Sequence, residues 1–366
     1  MPLKNGWLAS VNEIPFRKHR ELHITLSGRG NAQACVSQYL RLLSRKNIKT
    51  LKIVVFGHLI ELDTLTNLFY EYPLLLIGNS SSVRDNTVRM NIHAVEGNFQ
   101  SFEYITHRDE VIGSLYTTDG VKHLFLKNAE YADIDGARRF ETETGSAYAF
   151  LARTLKTKGF APRHIYRFWN YMDDIDCHYA AFNTVRDLYF RKWHISNYPA
   201  ATAVGAQLVN NLISMSLEAV SSNHINRYAT TAIQSDLQCE APQYGPKFCR
   251  AKIVSYQDGM NVMYISGTSS INKEGKSVLA GNPDKNIAHV LSRVAHLLKK
   301  AGMCPDDIIS SVAYCKNMKI FKALQRIKKT QGWDVVSTQL FSALCRKELL
   351  FELECIAVKT KVKLFK

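Results

Sequence analysis

An apolar stripe of Ile287, Val290, Leu291, Val294, Leu297 and Leu298 repeats at helical spacing and ends at Gly302. Such a face is stable only when a sheet or another helix covers it. The segments that follow offer that cover: IISSVAYC (308–315) reads as a strand, MKIFKALQRIKK (318–329) as a basic helix, and the remainder as further strands. Strand and helix in alternation argue for an α+β or α/β domain, with helices packed on one face of a mixed sheet.

The last strand has two unlike faces. Leu349, Phe351, Leu353, Cys355 and Ala357 fall on odd positions, Glu352 and Glu354 on even ones. An exposed even face leaves both glutamates ordinary. If that face lines a pocket instead, one carboxyl loses solvation, its pKa rises and it holds a proton near neutral pH.

Upstream, LKIVVFGHLIEL, TNLFYEY and PLLLIGNSSS are short apolar elements closed by a Gly/Asn/Ser turn, a sheet-containing region. EVIGSLYTT and VKHLFLKNA flank Thr118-Asp119-Gly120 as a hairpin. Tyr148, Leu151, Ala152 and Leu155 mark a helix that Gly159 stops. Near residue 200 the composition turns to small residues, which predicts two domains, 1–198 and 199–366, in keeping with a length of 366. No repeat of 20 to 50 residues is visible.

With 46% hydrophobic and 22% charged residues, the composition excludes disorder, collagen and a coiled-coil rod. A net charge of +15 calls for an anionic partner: nucleic acid, a membrane surface or a small acid. The eight cysteines form no C-x-x-C pair and no zinc-like set, so free thiols in a reducing cytoplasm are expected. No signal-like apolar run and no membrane-length segment is present.

HIYRFWNYMDDID (164–176) sets Arg167, Trp169, Asn170 and Tyr171 beside Asp173, Asp174 and Asp176. An EF-hand needs a glycine and a distant glutamate that are not in register here, so no metal is expected. Tyr179, Asn183, Arg186 and Arg191, and further on Tyr244 and Arg250, interleave aromatics with arginines. That pattern suits stacking on nucleic acid, bidentate capture of a small carboxylate, or surface arginines lying over rings. SGTSSINKEG (266–275) lacks the spacing of a phosphate loop, and neither a G-x-S-x-G elbow nor an H-E-x-x-H pair occurs.

Taken in order, AYAFLARTLKTKGF, IYRFWNYMDDID, HYAAFNTVR, YPAATAVGA, PQYGPKFCRA, YISGTSSI and CRKELLFELE resemble the chorismatase family, over roughly residues 110–358. The resemblance implies an α+β chain with a YjgF/RidA-like (chorismate-mutase-like) C-terminal half, no cofactor, and a small dianionic substrate, chorismate. Neither nucleic acid nor membrane is an expected partner. A monomer is preferred, a trimer being the other arrangement such a half invites.

The family's acid falls on Glu352, and its pocket arginines on Arg250 and Arg186, with Arg167 a third candidate. Tyr244, Tyr179 and Gly267 belong to the same pocket. The residue seven before the acid, Cys345, resembles that of members forming 3-hydroxybenzoate and pyruvate; plain hydrolysis to a dihydroxycyclohexadiene carboxylate is the alternative, and a non-catalytic acid-binding protein another. The chain departs from the family at Cys177-His178-Tyr179-Ala180, where an E-R-Y-R-like run is usual, at Val185 in place of glycine, and at Asn272-Lys273 in place of Gly-His.

Overall fold

The computed structural model describes residues 7–29, 48–58, 65, 69–80, 85–129 and 139–360. Their strands form three six-stranded mixed sheets. The first is built from β1 (Leu8–Pro15), β2 (His19–Arg29), β3 (Ile48–Gly57), β4 (Leu74–Gly78) and β5 (Thr87–Gly97). The second holds β6 (Ser101–His107), β7 (Glu110–Thr118), β8 (Val121–Lys127), β9 (Ile165–Met172), β10 (Ala200–Gly205) and, after the two-residue β11 (Gln207–Leu208) that joins the first sheet, β12 (Ile213–Ser222). The third holds β13 (Tyr228–Ile233), β14 (Ala251–Tyr256), β15 (Met260–Ser269), β16 (Ile308–Cys315), β17 (Thr338–Phe341) and β18 (Phe351–Thr360). Helices α1 (Phe140–Thr157) and α2 (Ile175–Lys192) serve the second sheet, α3 (Pro283–Lys300) and α4 (Met318–Gln331) the third.

One topology is used three times. In each sheet an antiparallel hairpin leads to a parallel strand pair, and the last strand of the set returns between them: β5 between β2 and β3, β12 between β8 and β9, β18 between β15 and β16. Registers match as well, since Phe56, Tyr171 and Tyr314, each one short of its strand's end, pair with Arg89, Ser214 and Glu352. The three aromatic residues meet in one buried cluster, Tyr171 and Tyr314 joined hydroxyl to hydroxyl at 3.3 Å. A repeat of this length, more than a hundred residues, lies outside the 20–50 residue window in which the sequence shows none. Of the three equivalent positions, only that of Glu352 carries a carboxyl.

The predicted hairpin and helices are present, and the 287–298 stripe is buried against β15, β16 and β18. Each such Leu, Ile or Val contributes about 1.5–3 kcal/mol by leaving water. Asn282 caps that helix by accepting from the Lys285 N–H at 3.0 Å, with Pro283 in its first turn. The expected boundary at 198/199 needs correction: β10 and β12 complete the second sheet, so the sheets part between β12 and β13, near residue 225. Small residues at 200–205 mark a buried parallel strand at the end of this sheet, not a linker. Cys35 and the parts of the early apolar runs at 59–64 and 66–68 lie outside the described residues.

Candidate active site

Strand β18 sends its odd residues into the third sheet's core and its even residues inward, and both glutamates are buried, Glu352 at 4% exposure and Glu354 at 6%. Glu352 lines a cavity of about 420 Å³ between α2, β9 and β10 on one side and the 244–250 segment, β15 and β18 on the other. Where β15 pairs with β18 the register slips between Ile265 and Thr268, and Gly267 sits at this irregularity. A side chain at 267 would overlap Glu352 Oε1, so the acid's carboxyl rests on a ledge that only glycine provides.

Ser269 Oγ stands 3.0 Å from Glu352 Oε2. Burial pushes the Glu352 carboxyl up to about 7; the charge of Glu354 adds to the rise, while Ser269, Arg167 and Arg250 oppose it. The group therefore holds its proton below neutral pH and can release it to a basic atom in the cavity.

Arg250 and Arg186 both line this cavity. Arg250 is fixed by the Cys239 carbonyl, 3.1 Å from Nε and also bound by Nη2, and donates to the Tyr244 hydroxyl at 3.1 Å. The rings of Tyr244 and Phe248 flank it at 5.6 and 5.5 Å. Arg186, on α2, is buried with its Nε unpartnered and only a 3.3 Å contact from Nη2 to Asp187. Two buried guanidiniums with donors to spare suit a ligand with carboxylates.

Cys345 and Tyr179 close the same space. Burial, then the charge of Glu352, pushes the Cys345 thiol up to about 12, so it stays protonated. Burial also raises Tyr179 well above, and Tyr244 above, the ordinary tyrosine value. The cavity thus offers neutral O–H and S–H groups beside a protonated acid.

Of the expected ligands, Arg167 stands elsewhere. It faces a separate inner chamber of about 50 Å³ and is committed to Glu354, with Nη2 2.6 Å from Oε2. The departures from the family pattern also fall outside the lining: Cys177, His178 and Ala180 start α2, and Asn272 organises a turn through its side chain. Asp174 caps α2 by accepting from the Cys177 N–H at 3.3 Å, which accounts for part of the acidic run without a metal.

Reading the sequence missed Arg346, which lines the cavity, donates to the Gly275 carbonyl at 2.7 Å and lies over Tyr244 at 5.2 Å. It missed Ser269 and Lys247 as well. The only signal for Arg346 was its place beside Cys345.

One cluster with metal-binding residue types lies away from this cavity: Glu21, His23 and His93, all buried. The two imidazoles stack at 4.3 Å with 23° between their planes. His93 pairs with Glu21 at 2.9 Å. No described helix is long and apolar enough to cross a membrane.

Comparison with known proteins gives two family matches. Residues 109–217 match the model described as chorismatase FkbO/Hyg5-like, N-terminal, and residues 250–359 match endoribonuclease L-PSP. A solved structure described as a chorismatase is similar over 84% of this chain and 92% of its own, with 17% identity and a TM-score of 0.64. A putative endoribonuclease L-PSP from Entamoeba histolytica aligns over 36% of this chain and 100% of its own, at 21% identity and a TM-score of 0.31. No curated protein matches the chain.

Proposed function

We propose that the chain is a chorismatase, on the match of residues 109–217 to the chorismatase N-terminal model and the likeness in fold to a chorismatase structure, and that it releases pyruvate from chorismate, leaving 3-hydroxybenzoate as the ring product. The observation that carries this reading is Glu352: a buried carboxyl that keeps its proton to about pH 7, inside a cavity with two buried arginines. Arg250 and Arg186 hold the two carboxylates of the substrate. Glu352 gives its proton to the enolpyruvyl methylene carbon, and the ether becomes an oxocarbenium ion.

The ring's own hydroxyl then attacks the neighbouring carbon and displaces pyruvate, its proton returning to Glu352. Opening of the resulting arene-oxide-like ring, with loss of one ring proton and protonation of the oxygen, completes the phenol. Cys345, protonated and beside the acid, supports this last exchange by giving a proton to the oxygen and taking one from the ring. No atom is added, so the two products together have the composition of the substrate. Free thiols at all seven described cysteines suit a reducing cytoplasm.

Hydrolysis to a dihydroxycyclohexadiene carboxylate uses the same acid, but water adds to the oxocarbenium carbon and the hemiketal so formed collapses to pyruvate and the ring alcohol, leaving the ring carbon–oxygen bond intact. Incubation with chorismate, without added metal or nucleotide, followed by chromatography of the ring product, separates them. Pyruvate with 3-hydroxybenzoate supports the proposal; pyruvate with a diene diol supports hydrolysis; no pyruvate above the spontaneous rate refutes both.

A further inference from the structure

Two residues beyond the acid on the same strand face, Glu354 lines the inner chamber and not the cavity. Its carboxylate is fully engaged. Oε1 accepts from the Trp169 indole N–H at 2.9 Å; Oε2 accepts from Arg167 Nη2 at 2.6 Å and from the Thr202 hydroxyl. Arg167 Nη2 also donates to Thr202 Oγ1 at 2.7 Å, and the same oxygen accepts the Gly267 N–H at 3.1 Å. Gly267 is the ledge on which the Glu352 carboxyl rests.

The chain of contacts therefore runs from Arg167 and Trp169 through Glu354 and Thr202 to Gly267 and the acid. We propose that Glu354 is a positioning residue for Glu352, fixing through Thr202 the Gly267 ledge and presenting to the acid, from behind, the carboxylate that pairs with Arg167. The inference rests on Glu352 being the acid of the reaction proposed above.

The charge acts in a definite direction. A carboxylate about 7 Å away, two residues along a strand, makes ionisation of Glu352 harder. Against it stand Arg167 on β9 and Arg250 at the start of β14, with Ser269 donating from β15. The other titratable groups lining the acid's cavity are Cys345 and Arg346, Tyr244 and Lys247, Tyr148 from α1, and Tyr179, Arg186 and Asp187 from α2. Arg167 is closest to neutralised because Glu354 holds it. Removing Glu354 thus takes away an anion and frees a cation, and both changes favour the ionised acid.

Isotope-edited infrared spectroscopy can follow the Glu352 carboxyl from about pH 4 to 9, with Glu352→Gln as the blank, and needs no turnover. In Glu354→Gln the midpoint should fall by about one to two pH units, for unit charges at that spacing and an effective dielectric near 20. A folded Glu354→Gln protein whose midpoint stays within a few tenths of wild type overturns the proposal. If that variant does not fold, Thr202→Val decides. It should displace the carboxyl band and lower kcat about tenfold or more at unchanged KM, with Thr202→Ser restoring both; an unmoved band overturns the proposal. A wild-type chain that releases no pyruvate while the midpoint shifts as stated refutes the reaction and supports the coupling.

Discussion

Replacing Glu352 by glutamine should make the protein more stable at alkaline pH, because the native site is built for the protonated acid. The carboxyl moves from a reference value of 4.5 to about 7 on folding, chiefly through burial. At 1.36 kcal/mol per unit, this shift is worth about 3 kcal/mol. The sign follows from which state binds the proton more tightly. Here it is the folded state, so the contribution is full below pH 4.5 and is lost as pH rises through 7. Glutamine has the shape of the protonated acid, retains a partner for Ser269 and has no proton to lose. Urea unfolding of both proteins across about pH 4.5 to 8.5 should give stabilities that are close at the acid end. The difference should grow to as much as about 3 kcal/mol in favour of the variant at the alkaline end. A difference that does not change with pH would refute the claim that Glu352 enters the fold protonated.

Other predictions bear on the cavity and the assembly. Cys345→Ala should divert the ring product from 3-hydroxybenzoate toward the diene diol with pyruvate release retained, as chromatography would show; an unchanged product removes the thiol from the reaction. Arg186→Lys and Arg250→Lys should each raise KM for chorismate about tenfold or more, because an ammonium cannot replace a bidentate fork, and kcat should change less. Gly267→Ala drives a methyl into the acid's carboxyl and should cost about a hundredfold or more in kcat; near wild-type turnover would show that the ledge does not place the acid. Three units of one topology sharing a core within one chain predict a monomer in light scattering, and a trimer would contradict that reading.

What the sequence disclosed and what it hid follow from the range of the interactions. The α3 stripe, the 110–127 hairpin and the two faces of the last strand are local patterns of period 3.6 and 2, and each stands in the fold where its pattern put it. Alternation alone, however, left open whether the even face met solvent. Burial of Glu352 depends on α2 and β10, more than 140 positions away in the chain, so only the fold decided it.

Arg167 shows the reverse case. An arginine before an aromatic run looks like a ligand, yet its partner is Glu354, 187 residues distant, and the pair faces the inner chamber. Long-range pairing also hid the domain edge, because the small residues of β10 lie beside β9 in the interior of the molecule, where a linker would have shown the same composition. Arg346 was passed over because its one local signal, the adjacent Cys345, does not tell whether an arginine's side chain turns into the cavity or out to the surface.

The most direct test of the central claim is the pH dependence of pyruvate release from chorismate by the purified protein. If a protonated Glu352 starts the reaction, kcat/KM should hold steady below about pH 7 and fall tenfold for each further unit. A rate that climbs through pH 7, or release no faster than the spontaneous reaction, would contradict the account.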